Sequence, residues 1–305
     1  MVVSRQLISV REKSWDSANH QTTTDCRLTT ADYLQPGREI MVGRVLAIAG
    51  NTYRENIRDK VLYNLILFAL IMILSSLALG KLTLGNEDKV IVDLGLSSIS
   101  IFGMLIAIFI GISLVYKELE KRTVYALLAK PVYRYEWILG KYLGLLFTLL
   151  VNLAIMTVGL ALAMLYTGQI GAGVYGRLLP AVFLIFLSLA LITALALLFS
   201  TFSTPALSAL FTFFLWIIGH FGKDLLSFGE LTESASVRGL CKVLYYVTPN
   251  LSNFQIMDSR SILQSTDYFQ AIDPVAIILA AIYCVVYCAL LISLAVSIFM
   301  RRDFK

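Results

Sequence analysis

Few side chains in this sequence have the types and spacing that chemistry usually requires. Cys284 and Cys288 are four residues apart, so on a helix their thiols would share one face and offer two ligands to a soft metal ion. No neighbouring histidine or methionine completes such a set, and we expect two small apolar packing residues. His220 follows an apolar run and precedes Lys223 and Asp224, a setting that favours an interfacial residue over a ligand.

The motifs of common enzymes do not occur in the sequence. No segment fits the phosphate-binding pattern GxxxxGK(S/T) or the zinc pattern HExxH, and no serine, histidine and aspartate are grouped in polar surroundings. We therefore predict no catalytic residue, no metal ligand and no cofactor in this chain. If the protein performs work, the energy must come from another polypeptide.

The composition is that of an integral membrane protein. Of 305 residues, 58% are hydrophobic and 15% are charged, and the mean hydropathy is +0.78, which is too apolar for an ordinary soluble domain. The net charge is +5, but the basic residues are concentrated in a few links, where they report orientation and not nucleic-acid binding. The four cysteines lack zinc-site or redox spacing, so no disulfide framework is expected.

Apolar runs predict the fold class, an all-α membrane protein with six transmembrane helices. The predicted spans are 61–80, 94–115, 142–167, 178–199, 205–222 and 274–299. Each is near or above the roughly 20 residues that cross a hydrocarbon core of about 30 Å. Every proline lies outside a span interior or in a first turn, so the helices should be mostly unbroken. Thr204 before Pro205 is expected to cap the fifth span.

Small residues recur four apart in two spans, which permits close helix contact within or between subunits. They are Gly103, Ala107 and Gly111 in the second span, and Gly140 and Gly144 at the start of the third. Asn64 and Asn152 are expected to form hydrogen bonds between helices. The spans hold essentially no acidic or basic residue away from their ends, whereas ion-coupled carriers usually need one.

The part of the chain before the first span divides into two segments. Residues 1–37 are polar, mixed in charge and without periodicity, and are predicted to be a disordered extension. Residues 38–60 combine an apolar helical stripe with arginines on other faces, which predicts an amphipathic helix at the cytoplasmic interface, or else a soluble helix packed on a partner. The stripe consists of Val42, Val45, Leu46, Ala49, Tyr53 and Ile57. Residues 61–305 then form the transmembrane domain.

The longest basic interruption, residues 116–141, separates the second and third spans. Within it Val124, Leu127 and Leu128 have helical spacing, and Pro131 must end that helix because proline lacks an amide proton. Tyrosines and a tryptophan then alternate with basic residues, as in an anchor at lipid headgroups. We expect a short helix lying across the cytoplasmic surface; a plain charged loop is the alternative.

Basic residues also set the predicted topology. They are concentrated before the first span, in the 116–141 interruption and in the tail after the sixth span. With six spans all three segments fall on one side, so both termini are predicted to be cytoplasmic. The connection 223–273 then lies outside, and the spacing of its apolar residues from Val237 to Tyr245 predicts a short helix there.

An ordered set of residues in this interruption matches a known pattern. The set comprises Glu118, Glu120, Thr123, Leu127, Leu128, Pro131, Val132, Arg134, Gly140 and Lys141. Its order resembles the first cytoplasmic link of type-2 ATP-binding-cassette permeases, with Arg122 standing where many members have glycine. The succession of an interfacial helix, six spans and a large connection before the last span is similar as well.

The resemblance implies a permease subunit that pairs with a second permease copy, identical or different, in contact with membrane lipid. The helix of residues 120–130 would insert into a separate cytoplasmic ATPase subunit, and ATP and Mg²⁺ would bind to that ATPase. The implied coupling residues are Glu118, Glu120, Arg122, Thr123, Leu127, Leu128, Pro131 and Arg134. Leu127 and Leu128 would be the apolar anchors. The expected setting is the plasma (inner) membrane and the expected direction is export.

Two other functional classes are open on the sequence alone. An ion-coupled carrier or channel would sustain flux without any ATPase. A membrane scaffold that transports nothing would co-purify with other membrane components and without an ATPase. The lack of charged residues deep in the spans counts against the first of these.

Overall fold

The computed structural model describes residues 37–82, 87–120, 133–167, 172–231, 235–254 and 274–301. Within these ranges every regular element is helical, which confirms the all-α prediction for them. The elements are α1 (Gly37–Ile57), α2 (Lys60–Leu82), α3 (Glu87–Glu120), α4 (Arg134–Thr167), α5 (Ala172–Phe202), α6 (Pro205–His220), α7 (Gly222–Leu231), α8 (Ala235–Val247), a 3₁₀ helix (Leu251–Phe254) and α9 (Pro274–Arg301). The predicted disordered segment lies outside these ranges except for Gly37.

The chain divides into two compact units, Met1–Leu46 and Ala47–Lys305. In the first unit, the described residues form the first half of α1, where the side chains of Val42 and Leu46 are exposed. The second unit contains the second half of α1 and all the other helices. The hydrophobic core belongs to this second unit.

Five of the described helices are long and apolar enough to cross a membrane. Their apolar segments are 60–82, 90–113, 135–167, 178–202 and 274–299, and each overlaps a predicted span. The predicted fifth span corresponds to α6, which has only 16 residues. At 1.5 Å per residue this helix reaches about 24 Å, less than a hydrocarbon core of about 30 Å.

The α6 helix is short because the backbone turns at Phe221. The amide of Phe221 still donates to the Ile217 carbonyl at 3.0 Å, but its φ of −93° and ψ of 20° leave the helical region, and Gly222 begins α7. At the other end Pro205 does occupy the first turn. Thr204 occupies the N-cap position in an extended conformation, as predicted, and its carbonyl accepts from the Ser208 amide at 2.8 Å, but its side chain makes no capping hydrogen bond.

Pro180 lies inside α5, and its position agrees with the prediction that every proline lies outside a span interior or in a first turn. The apolar segment of α5 begins at Leu178, so the proline is in the first turn of the membrane-crossing part. The helix itself begins earlier, at Ala172. The helix therefore extends beyond its apolar segment, and the proline does not interrupt the membrane-crossing part.

The helices α3 and α5 form the centre of the bundle. Their apolar segments are 67% and 72% buried, whereas those of α2, α4 and α9 are 28%, 39% and 22% buried. The α3 helix packs against α2, α4, α5 and α6, and α5 also packs against α9, α4 and α6. The peripheral helices therefore carry the exposed apolar surface of the protein.

The small residues of α3 lie against α5. A Cβ atom at Gly103 would be 2.7 Å from Cδ1 of Leu189, and one at Gly111 would be 3.1 Å from Cβ of Ala196. Ala107 between them is buried. These residues thus let the two central helices approach each other closely within one chain.

At the end of the bundle where α6 terminates, the segment after α8 folds back onto α6 and α9. The carbonyl oxygen of Pro249 would be 2.6 Å from a Cβ atom at Gly219. The backbone amide of Asn250 donates to the hydroxyl of Tyr283, and its side-chain amide donates to the hydroxyl of Tyr245, both at 3.0 Å. The short helix predicted in this connection is confirmed as α8.

Gly219→Ala is expected to destabilise this end of the bundle. The added Cβ would meet a backbone carbonyl, which cannot move without shifting its turn, and overpacking of this kind costs about 1–3 kcal/mol. Gly239→Ala is the matched control, since nothing lies within 4 Å of a Cβ there and alanine favours a helix. Thermal unfolding of the purified protein should give a lower midpoint for the first variant only; equal midpoints would contradict the contact.

Candidate functional site

The first turns of α4 bury charged side chains at the point where the chain returns from residues 121–132. We call residues 134–148 the foot of α4 and residues 121–132 the link. In the foot, Glu136 and Lys141 are each 2% exposed. Both belong to the apolar segment of α4, which begins at Tyr135. This agrees with the prediction that charged residues occur essentially only near span ends, although the helix starts well before the predicted span.

The first turn of α4 is closed by Glu136. The Tyr133 carbonyl accepts hydrogen bonds from the amides of Glu136 (3.1 Å) and Trp137 (3.3 Å), and the Tyr133 amide donates to Oε2 of Glu136 (3.3 Å). This is half of a capping box, in which a side chain satisfies an amide that the helix start leaves open. The start of the helix is therefore defined immediately after the link.

The second half of α1 packs directly on the foot of α4. A Cβ atom at Gly144 would be 2.6 Å from Cβ of Thr52 and 2.7 Å from the carbonyl oxygen of Ala49, so this approach requires glycine. Beside it the rings of Tyr53 and Phe147 meet edge to face, with centroids 4.6 Å apart. The contact brings the two helix backbones close together.

A hydrogen bond joins the same two helices. Nδ2 of Asn56 donates to Oγ1 of Thr148 at 3.1 Å, and the Thr148 hydroxyl donates to the Gly144 carbonyl at 2.9 Å. Asn56 is buried, so the bond replaces the water that its amide has lost. Among the described side chains of α1, the buried ones are Thr52 and Asn56, and the large apolar members of the predicted stripe are not among them.

Lys141 connects the foot of α4 to α1 by charge. Its Nζ is 3.9 Å from Oε2 of Glu55, whose side chain is 39% exposed, and 5.8 Å from the centroid of the Trp137 ring. A carboxylate and an aromatic face together offset part of the cost of removing the ammonium group from water. Because Lys141 is buried and Glu55 is partly in solvent, the lysine depends on the pair more than the glutamate does.

Trp137 joins the foot of α4 to the end of α9. Its ring stacks on Phe299 with centroids 5.4 Å apart and planes 15° from parallel, and it is buried. The foot is therefore attached to both α1 and α9. Any displacement of its first turns acts on these two helices as well.

Some buried polar atoms of this region lack a hydrogen-bond partner in the described part of the chain. They include Oγ1 of Thr52, Nε1 of Trp137 and, further along α4, Nδ2 of Asn152. An unsatisfied buried group of this kind costs about 1–3 kcal/mol. The foot therefore combines tight packing with buried polar groups that are not paired within the described residues.

The predicted coupling residues are only partly within the described ranges. Glu118 and Glu120 belong to the last turn of α3, and Arg134 is the first residue of α4. Outside the described ranges lie Arg122, Thr123, Leu127, Leu128, Pro131 and the short helix predicted around them. The structure thus defines the two helices that hold the link.

The two cysteines Cys284 and Cys288 and the histidine His220 do not lie together in one site. The sulfur atoms of Cys284 and Cys288 are 3.8 Å apart, and the Cys284 thiol donates to the Leu187 carbonyl at 3.3 Å. No cluster of three or more histidine, cysteine, aspartate or glutamate side chains able to hold a metal occurs among the residues that were placed. His220 lies next to the Trp216 ring at the end of α6, with ring centroids 5.1 Å apart.

Neither of the two asparagines predicted to join helices forms such a hydrogen bond with a residue that the structure describes. The side chain of Asn64 is exposed, and Nδ2 of the buried Asn152 has no partner within the described ranges. The amide that does join two helices is that of Asn56, bonded to Thr148. The signal for this contact in the sequence was a four-residue spacing on each helix: Thr52 precedes Asn56 by four residues, and Gly144 precedes Thr148 by four residues.

The described architecture is that of a polytopic membrane protein in which a charged foot connects a central helix pair to peripheral helices. A family model described as ABC-2 family transporter protein matches residues 46–304. Since the match covers most of the chain, the protein belongs to this family of transporters and is a membrane component, distinct from a nucleotide-binding domain. This confirms the resemblance found in the link. A comparison with curated proteins finds no match.

Gly144→Ala is expected to weaken the contact between α1 and α4. Its Cβ would collide with the backbone of α1 at Ala49, so the helices must separate, at a cost of about 1–3 kcal/mol. Gly103→Ala is the control, because there the nearest atom is the end of the flexible Leu189 side chain. The unfolding midpoint should fall more for Gly144→Ala. A smaller loss than in the control would show that α1 does not pack this closely.

A double-mutant cycle at Glu55 and Lys141 is expected to reveal coupling of about 1 kcal/mol, within the range for residues in contact. Glu55→Gln should cost more than Lys141→Met, since it removes the carboxylate from a buried ammonium group. The double variant should be more stable than Glu55→Gln alone. Chemical or thermal unfolding of the four proteins measures this; strict additivity would contradict the ion pair.

Proposed function

We propose that this chain is the membrane-spanning subunit of an ATP-driven exporter. A separate cytoplasmic ATPase binds ATP and Mg²⁺ and contacts the link, and a second permease copy completes the translocation path. The observation that carries this proposal is the attachment of the foot of α4 to both α1 and α9 directly after the link. Membership of the ABC-2 family supports the permease role.

Two helices support the link. The apolar segment of α3 ends at Ser113, but the helix continues to Glu120, which adds about 10 Å at 1.5 Å per residue. The chain becomes helical again at Arg134, and Glu136 closes that first turn. A force on the link therefore reaches the bundle through helices and is not absorbed by irregular backbone.

The foot of α4 is positioned to pass such a force to the peripheral helices. Through Gly144 it moves α1, and through Trp137 it moves α9, while α3 and α5 are packed against each other at the centre. A shift of peripheral helices against a central pair is a shear motion between two states. Oγ1 of Thr52 and Nε1 of Trp137 have no hydrogen-bond partner among the described residues. This supports a second arrangement of the helices, because hydrogen bonds formed there by these two atoms would offset part of the free energy that the shift costs.

In this proposal the chain has six spans in the plasma membrane, and α6 is a short fifth span. Local thinning of the bilayer accommodates a short helix at a modest cost. Both termini face the cytoplasm, since basic residues precede the first span and follow the sixth. The described part of α1 then acts as an interfacial elbow that leads into α2 through a tight turn.

Glu120→Lys combined with Leu128→Asp is expected to detach the ATPase from the link and so to stop ATP-driven transport. Reversed charge and a carboxylate at an apolar anchor both disfavour docking of the link on the ATPase. The measurement is the amount of ATPase that co-purifies with the permease and its vanadate-sensitive ATP hydrolysis in proteoliposomes. Both should fall about ten-fold or more, since one lost contact of this kind is worth about 1.4 kcal/mol.

The control combines one charge reversal and one Leu→Asp change at the other end of the bundle. Lys242→Glu with Leu231→Asp alters two exposed side chains of α8 and α7 and should leave ATPase recovery and hydrolysis unchanged. Normal ATPase recovery and coupling in the link variant would refute the proposal. Flux that persists without any ATPase would instead favour an ion-coupled carrier or channel.

A further inference from the structure

The corner between α1 and α2 carries three exposed basic side chains. Arg54 and Arg58 are four residues apart, Lys60 begins α2, and all three are exposed. None of them forms an ion pair with a carboxylate in the described ranges. The turn is tight, because the amides of Arg58 and Asp59 bond back to the last turn of α1. The three charges are therefore held close together.

The two acidic residues of the same segment are engaged within the protein. Glu55 faces Lys141, with 3.9 Å between Oε2 and Nζ. Oδ1 of Asp59 accepts a hydrogen bond from the Val61 amide at 3.2 Å, as an N-cap residue of α2 does. Because both carboxylates have partners inside the chain, the outward surface of the corner is cationic.

This cationic surface adjoins the apolar surface of a membrane-crossing helix. The side chains of Val61, Tyr63 and Leu67 are about half exposed in the first turns of α2. Basic residues next to a tyrosine and exposed aliphatic side chains have the composition of a contact with lipid headgroups. An acidic soluble protein would match the charges but would leave the apolar part of the surface uncovered.

We propose that Arg54, Arg58 and Lys60 form a binding surface for the headgroups of anionic phospholipids. Guanidinium groups bind phosphate oxygens through paired hydrogen bonds, and the exposed side chains of α2 contact the acyl chains. Glu55 lies between the two arginines and holds Lys141, so a lipid bound here reinforces the contact between α1 and α4. The inference does not depend on ATP-driven transport.

The test uses the full chain reconstituted in bilayers of phosphatidylcholine with and without phosphatidylglycerol. Native mass spectrometry of the re-extracted protein gives the ratio of the two lipids that stay bound. The unmodified protein should retain phosphatidylglycerol preferentially. R54Q/R58Q should lower this preference roughly thirty-fold, the size expected from two basic residues near an anionic surface. Raising the salt concentration from about 0.05 M to about 0.5 M should also weaken it.

Two further variants separate the site from net charge and from misfolding. K81Q/K242Q removes the same charge from exposed positions at the other end of the bundle and should keep the preference. R54K/R58K keeps the charge at the corner and should keep most of the preference for phosphatidylglycerol. An unchanged preference in R54Q/R58Q, an equal loss in K81Q/K242Q, or a complete loss in R54K/R58K would each overturn the proposal.

Discussion

The close approach of α1 to the foot of α4 at Gly144 is the constraint on which this region of the protein depends. A side chain there would meet Thr52 and the Ala49 carbonyl and would separate the helices. The hydrogen bond between Asn56 and Thr148 has a length of 3.1 Å and would break on separation, because it is already near the upper end of the usual range of about 2.7–3.2 Å. The polar contacts between α1 and α4 therefore form because residue 144 is a glycine and has no side chain.

The buried charges of the foot depend on the same approach. Lys141 has Glu55 as its carboxylate partner only while α1 stays in place, and a buried ammonium group that loses such a partner is strongly destabilising. Replacing a buried pair by apolar residues is often neutral or favourable, so the pair does not serve stability alone. We infer that it holds α1 and α4 in one register, which a force from the link would need.

The centre and the periphery of the bundle have different roles in this arrangement. The pair α3 and α5 buries most of its apolar segments and packs through small residues, whereas α2, α4 and α9 are largely exposed. Peripheral helices can shift at a smaller cost in lost packing than central ones. The corner at Arg54 and Arg58 adds an electrostatic contact with the bilayer surface, against which the peripheral helices can move.

The sequence by itself determined the class of this protein, its all-helical architecture and its family, because apolar length, charge distribution and the order of residues around Pro131 are local properties of the chain. It also located the helices α8 and α1. It could not show that Asn56 would meet Thr148, 92 residues away, or that Asn64 would face outward. Helical periodicity defines faces but not their neighbours, so only the tertiary packing decided which polar residues are buried together, where α6 ends and why Lys141 can be buried.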